Sequence, residues 1–145
     1  MKLLDWVPMM IAAGILPQTV TAECVKSDVA NLRHAPSIRA KKSWQVYKYM
    51  PFRVIGRRQA WMKVVDLDGD RHWIHSKLIT RAYHCGVIKT SSANLRSGPG
   101  HRYSILDTVK KNVAFRILHI KGNWAEVKSD FGAKFWVSRR LLWIQ

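Results

Sequence analysis

The chain has 145 residues, with 25 Lys and Arg against 9 Asp and Glu, for a formal net charge of +16. Residues 23–82 carry 13 basic and 5 acidic side chains and residues 83–145 carry 11 and 3, so each part is +8. That even spread excludes a single basic tail and leaves two basic surfaces able to attract polyanions through long-range fields.

Met1-Lys2 opens the chain with a short positive start, and Val7 to Leu16 is a nearly unbroken apolar run. The run is shorter than the roughly 20 residues a membrane span needs. Val20-Thr21-Ala22 supplies the small residues a signal peptidase reads, so residues 1–22 are expected to be an export signal cleaved after Ala22. An uncleaved apolar anchor or an ordinary first segment is the alternative. Glu23 directly before Cys24 does not suit a lipid-attachment site.

From Lys26 the chain repeats itself. Lys26 to Leu78 overlays Lys89 to Leu141 at a constant offset of 63 residues, and 16 of the 53 paired positions are identical. Chance would supply about three. The matches include Ala30-Asn31-Leu32-Arg33 with Ala93-Asn94-Leu95-Arg96, Phe52-Arg53 with Phe115-Arg116, Trp61 with Trp124, and Trp73 with Trp136. A repeat of this length is a small domain copied. The domains expected are 23–82 and 83–145.

Periodicity within each copy favours short strands. Residues 29–33 alternate apolar and polar up to a Pro-containing turn, and residues 52–55 form a second strand. Residues 61–65 form a third, Asp68-Gly69 marks a hairpin, and residues 72–75 form a fourth. Their counterparts lie 63 residues later. Five short strands in about 60 residues, without a helical stripe, read as an all-β, partly open barrel in each copy. Domains this small bury only about 60% of the surface their unfolded chains expose. Cys24, before the first repeat, and Cys85, after its last strand, are the candidate disulfide, because the first and last strands of one small barrel often run side by side; free buried thiols or an intermolecular bridge are the alternatives. A bridge closing a loop of this length contributes about 4 kcal/mol in the chain-entropy model.

The turn Asn94-Leu95-Arg96-Ser97-Gly98-Pro99-Gly100, followed by Tyr103, Gly122-Asn123-Trp124, Gly132 and Trp136-Val137, resembles the bacterial SH3-like domain. The first copy is similar but degraded, with Ala35 and Ser37 at the two turn glycines and Ala40 at the tyrosine. Its long loop is therefore expected to differ in shape. The resemblance implies two tandem SH3-like β-barrels after a signal peptide, in a periplasmic or secreted protein that binds something in the cell envelope.

Trp61, Trp73, Trp124 and Trp136 are the candidate ligand-binding aromatics. With a period of two, Trp61 and Trp73 point opposite Val64 and Ile74, and His75 shares the face of Trp73. An exposed aromatic beside Arg or Lys stacks on peptide or sugar groups and holds anionic substituents. Packing into a core or between modules is the competing role for each. Arg33 and Arg96 would contact a carboxylate or phosphate, or else hold a carbonyl of their own loop.

Bacterial SH3-like modules are often attached to papain-like endopeptidases, but such an enzyme needs a Cys and His in a domain of its own, and the two barrels leave no stretch for one. No catalytic residue and no cofactor is expected. Asp66 to Asp70 lacks the spacing of a calcium loop and reads as a hairpin tip, and all six histidines read as surface or partly packed, not as metal ligands. The expected partner is peptidoglycan or another anionic envelope polymer, with both modules contributing avidity. An envelope protein is the alternative, and nucleic acid fits only a chain that is not exported.

Overall fold

The computed structural model describes residues 20–145. The first module is built from β1 (Thr21–Val25), β2 (Val29–Arg33), β3 (Lys42–Tyr47), β4 (Pro51–Arg58), β5 (Trp61–Val65), β6 (Arg71–His75) and β7 (Ile79–Thr80). The second repeats them as β8 (Cys85–Ile88), β9 (Ser92–Arg96), β10 (Ile105–Lys110), β11 (Ala114–Lys121), β12 (Trp124–Lys128), β13 (Lys134–Ser138) and β14 (Leu142–Ile144). Each module is one antiparallel sheet, ordered β3-β2-β6-β5-β4-β1-β7 and β10-β9-β13-β12-β11-β8-β14. A single 3-10 turn precedes the last strand of each, and no α-helix occurs among the described residues.

The expected strands are present, and their number rises from five to seven per module. β1 is held by tertiary pairing, lying between β4 and β7 with Glu23 opposite Phe52 and Cys24 opposite both Pro51 and Thr80. β7 has only two residues, too few to leave a period in the sequence. The expected leader lies outside the described residues except for its last three; of these, Thr21 and Ala22 belong to β1.

Alternation works as expected. Met62 and Val64 point inward from β5, and Trp61 and Lys63 are half-buried on the other face. Phe52, Leu32, Val46 and Ile74 fill the first core, and Ile88, Leu95, Phe115 and Val127 the second. Each such side chain contributes about 1.5–3 kcal/mol on burial. Gly69 and Gly132, both at φ +86°, occupy the matching hairpin tips where a side chain would be strained.

The modules are clamped together. Val87, Ala114 and Trp143 of the second module pack against the first core. Arg53 lies over Trp143 at 5.8 Å, and its repeat counterpart Arg116 lies over Tyr83 of the connecting segment at 4.5 Å. Lys111 Nζ reaches Asp68 Oδ1 at 2.8 Å. Burial pushes the Tyr83 hydroxyl above its ordinary range; Tyr49 adds to the shift and Arg116 opposes it. Burial likewise raises the Glu23 carboxyl against the pull of Arg81 and then Arg57.

Cys24 and Cys85 form the expected disulfide, with Cα atoms 6.0 Å apart. Its place differs from the expectation. Cys24 lies on β1 and Cys85 on β8, so the bridge joins the first strands of the two modules and does not staple one barrel shut.

A second correction concerns His72, which is buried and not a surface or partly packed residue. Its Nδ1 is 2.7 Å from Ser43 Oγ, and its Nε2 is 2.9 Å from Asp66 Oδ2. The other Asp66 oxygen accepts the Asp68 and Asp70 backbone N–H groups at 2.9 Å each. This Ser–His–carboxylate chain ties the edge strand β3 to the β5–β6 hairpin. The second module fills the same positions with Leu106, Phe135 and Ser129, and only a Ser129 Oγ bond from the Ala133 N–H remains.

Tyr103 lies against Gly98, where an added Cβ would overlap its ring. The first module has Ala35 and Ala40 at these places, so the lost glycine accompanies the lost tyrosine.

Replacing both cysteines by Ser is expected to cost on the order of 2–4 kcal/mol, read as a lowered denaturant midpoint, with reductant giving the same shift in the parent. Gly98→Ala alone should lower the melting temperature, and adding Tyr103→Ala should recover most of the loss. His72→Ala strands the Asp66 carboxylate and should cost about 1–3 kcal/mol. The triple change Ser43→Leu, Asp66→Ser, His72→Phe, which copies the second module, should cost less than that single change in the same melts.

Candidate functional site

Two clefts occupy the same place in the two modules. Each lies between the strand β2 or β9, the long loop that follows it, and the strand carrying Trp61 or Trp124. The first is lined by Asn31, Arg33, Trp61, His75 and Leu78, together with Val29, Lys77 and the loop residues Pro36 to Ile38, and has a volume of about 620 Å³. The second is lined by Asn94, Arg96, Trp124, Ser138 and Leu141, the repeat counterparts, with Ser92, Ala93 and His101, and has only about 150 Å³.

The local sequence explains the placement. Strand alternation turns Leu32 and Leu95 into the cores and leaves Asn31, Arg33, Asn94 and Arg96 on the cleft side. Arg33 Nη1 donates to the Ala40 carbonyl at 2.9 Å. Arg96 Nη1 donates to His101 and Tyr103 carbonyls at 3.1 and 3.0 Å. Both arginines therefore brace the long loop that forms one cleft wall, while remaining part of the lining.

The tryptophans divide into two pairs. Trp61 and Trp124 line the clefts; Trp73 and Trp136 do not. Trp73 sits beneath Lys63, whose Nζ is 5.8 Å from the ring, and Trp136 meets His119 at 6.1 Å. The structure thus brings Trp61, Arg33 and His75 together, and separately Trp124 and Arg96.

Each cleft tryptophan meets a histidine edge-on, but from a different origin. His75, at the end of β6, lies 5.3 Å from Trp61, and its Nδ1 accepts the Lys77 N–H at 3.2 Å. His101 comes from the long loop and lies 5.0 Å from Trp124. His101, Ile38 and Lys77 were not legible as site residues, because no repeated identity marks them. Ile38 and His101 are repeat counterparts that differ in type, a signal the 63-residue offset does contain.

None of Ser43, His72 and Asp66 lines these clefts. A third cleft, of about 400 Å³, lies over Glu23, Arg57 and Arg81. No group of three or more His, Cys, Asp or Glu suited to a metal ion occurs among the described residues. Among these residues no helix is long and apolar enough to cross a membrane.

Comparison with known proteins agrees with this architecture. Residues 26–80 and 91–142 each match a family model described as Bacterial SH3 domain. The chain is 41% identical over 59 residues to YrvJ of Bacillus subtilis (strain 168), named as a candidate N-acetylmuramoyl-L-alanine amidase. That match covers 41% of this chain and 11% of the relative's length. Among solved structures, NlpC1 from Trichomonas vaginalis overlays 94% of this chain and 50% of its own, at 15% identity and a TM-score of 0.40. The endolysin LysPBC5 CBD overlays 90% of this chain and 97% of its own, at 17% identity and a TM-score of 0.36. The chain carries two bacterial SH3 domains in tandem and belongs to that family.

Proposed function

We propose that the protein is a non-catalytic binding module of the bacterial cell envelope, recognising peptidoglycan through the cleft that the repeat places beside Trp61 and Trp124. The observation that carries this reading is the cleft itself: an aromatic floor and a loop-braced arginine, recurring at one site of a basic framework. Its lining includes no carboxylate in either module. Such a surface suits a ligand with apolar and acidic parts, as the peptides of peptidoglycan have. The kinship of the chain to a relative named for amidase action supports the same setting. In this reading residues 1–22 are the export signal. Cleavage after Ala22 leaves Glu23–Val25 as β1, retaining its pairs with Phe52, Pro51 and β7.

A second reading, a scaffold for an envelope protein, is favoured by one observation. β10 is an edge strand with Ile105 and Leu106 about half exposed, and unpaired edges of this kind accept a further strand.

The test is retention of the purified protein by peptidoglycan across a salt series, beside a Trp61→Ala/Trp124→Ala variant of unchanged melting temperature. Retention that survives moderate salt and falls about tenfold or more in the variant is expected. Retention that disappears with salt and ignores both changes would reduce the interaction to polyanion attraction. Failure to bind, with recovery of one envelope protein that Ile105→Lys abolishes, would favour the scaffold.

A further inference from the structure

Resting on that reading, we infer that the two clefts are not two copies of one site: the degraded first module holds the ligand, an acidic peptide, while the second has its cleft narrowed by its own His101. The repeat supplies the comparison. Trp61 and Trp124, Arg33 and Arg96, and Leu78 and Leu141 stand at matching places, so the framework is the same. The volumes are not, at about 620 and about 150 Å³. Sites for small organic ligands generally occupy about 300–1,000 Å³, a range that includes the first and excludes the second.

The difference traces to the long loop. In the second module His101 reaches from the loop wall to the tryptophan wall, its ring 5.0 Å from that of Trp124. The loop is fixed in that position, because Arg96 grips the His101 carbonyl and Tyr103 lies on Gly98. In the first module the residue at the place of His101 is Ile38, which is 76% exposed on the cleft rim. Ala40 replaces the tyrosine, and Arg33 holds the loop through Ala40 instead. The histidine that touches Trp61 is His75, from the same wall as the indole's own sheet, so it bounds the cleft without crossing it.

The open cleft also states its ligand. Val29, Pro36, Ile38 and Leu78 supply apolar contact around the indole, and Lys77 and Arg33 supply positive charge. Asn31, Ser37 and His75 add hydrogen-bonding groups, and a peptide that carries small apolar side chains next to a carboxylate meets both halves of this lining. A stem peptide has both. The second module then serves as a rigid support, disulfide-linked to the first.

The experiment uses the full protein and three soluble probes: a disaccharide carrying a stem tetrapeptide, the free tetrapeptide, and the peptide-free disaccharide. Calorimetric titration should give one site for the first two and none for the third. Trp61→Ala and Lys77→Glu should each weaken binding by about tenfold or more, a far larger loss than Trp124→Ala causes. His101→Ala should open the second cleft and raise the stoichiometry toward two. Nuclear magnetic resonance of the free protein should show the His101 ring protons shifted by the Trp124 ring current. Equal losses in the two tryptophan variants, or an unshifted His101, would overturn this inference and leave the envelope reading standing. Binding of the disaccharide without the peptide would overturn the ligand assignment. Absence of binding to the parent and to His101→Ala, for all three probes and for whole peptidoglycan, would overturn both.

Discussion

A barrel of about sixty residues has too little interior to be comfortably stable, and this chain meets that limit at the junction between its two barrels. The Cys24–Cys85 bridge ties β1 to β8, and Val87, Ala114 and Trp143 extend the first core with side chains from the second module. Arg53 and Arg116, identical by descent of the repeat, both turn to aromatic rings at the junction. Fixing the modules here leaves the long loops and the Trp61 and Trp124 clefts free of structural duty toward the neighbour.

The same economy governs the loops. An arginine at the end of β2 or β9 donates to loop carbonyls, which replaces a hydrophobic anchor where the barrel has none to spare. In the second module a tyrosine laid on Gly98 tightens the loop further. In the first, that pair has gone, and a buried Ser43–His72–Asp66 chain restrains the neighbouring edge strand instead. Buried polar chains of this kind cost desolvation and stabilise only when every member is partnered, as here. The two modules therefore share a frame and differ in how the cleft side is held.

Duplication with divergence has a plain functional consequence. In the proposed reading one copy relaxes its loop and admits a ligand, while the other, disulfide-linked to it, maintains a rigid platform. The basic charge, +8 on each module, acts over longer distances than the cleft and would draw the proposed anionic polymer toward either face. Contact with a specific group is left to the few side chains around the indole.

The repeat, the strand alternation and the matching Gly69 and Gly132 turns were all readable from sequence, because each is a local pattern or an offset between residues. They determined the two-barrel architecture and which face each tryptophan presents. The edge and seam strands were not readable: β1, β3, β7 and their counterparts carry weak periods and exist because neighbours hydrogen-bond to them. Cys24 and Cys85 could be paired from sequence, but which surfaces the bridge joins depended on β1 and β8 meeting at the junction. Likewise all four tryptophans looked alike in sequence, and only the packing of the long loops separated the cleft pair, Trp61 and Trp124, from Trp73 and Trp136. Whether a cleft is open depends on where one loop side chain, Ile38 or His101, comes to rest, and that is decided by contacts made across the barrel and not along the chain.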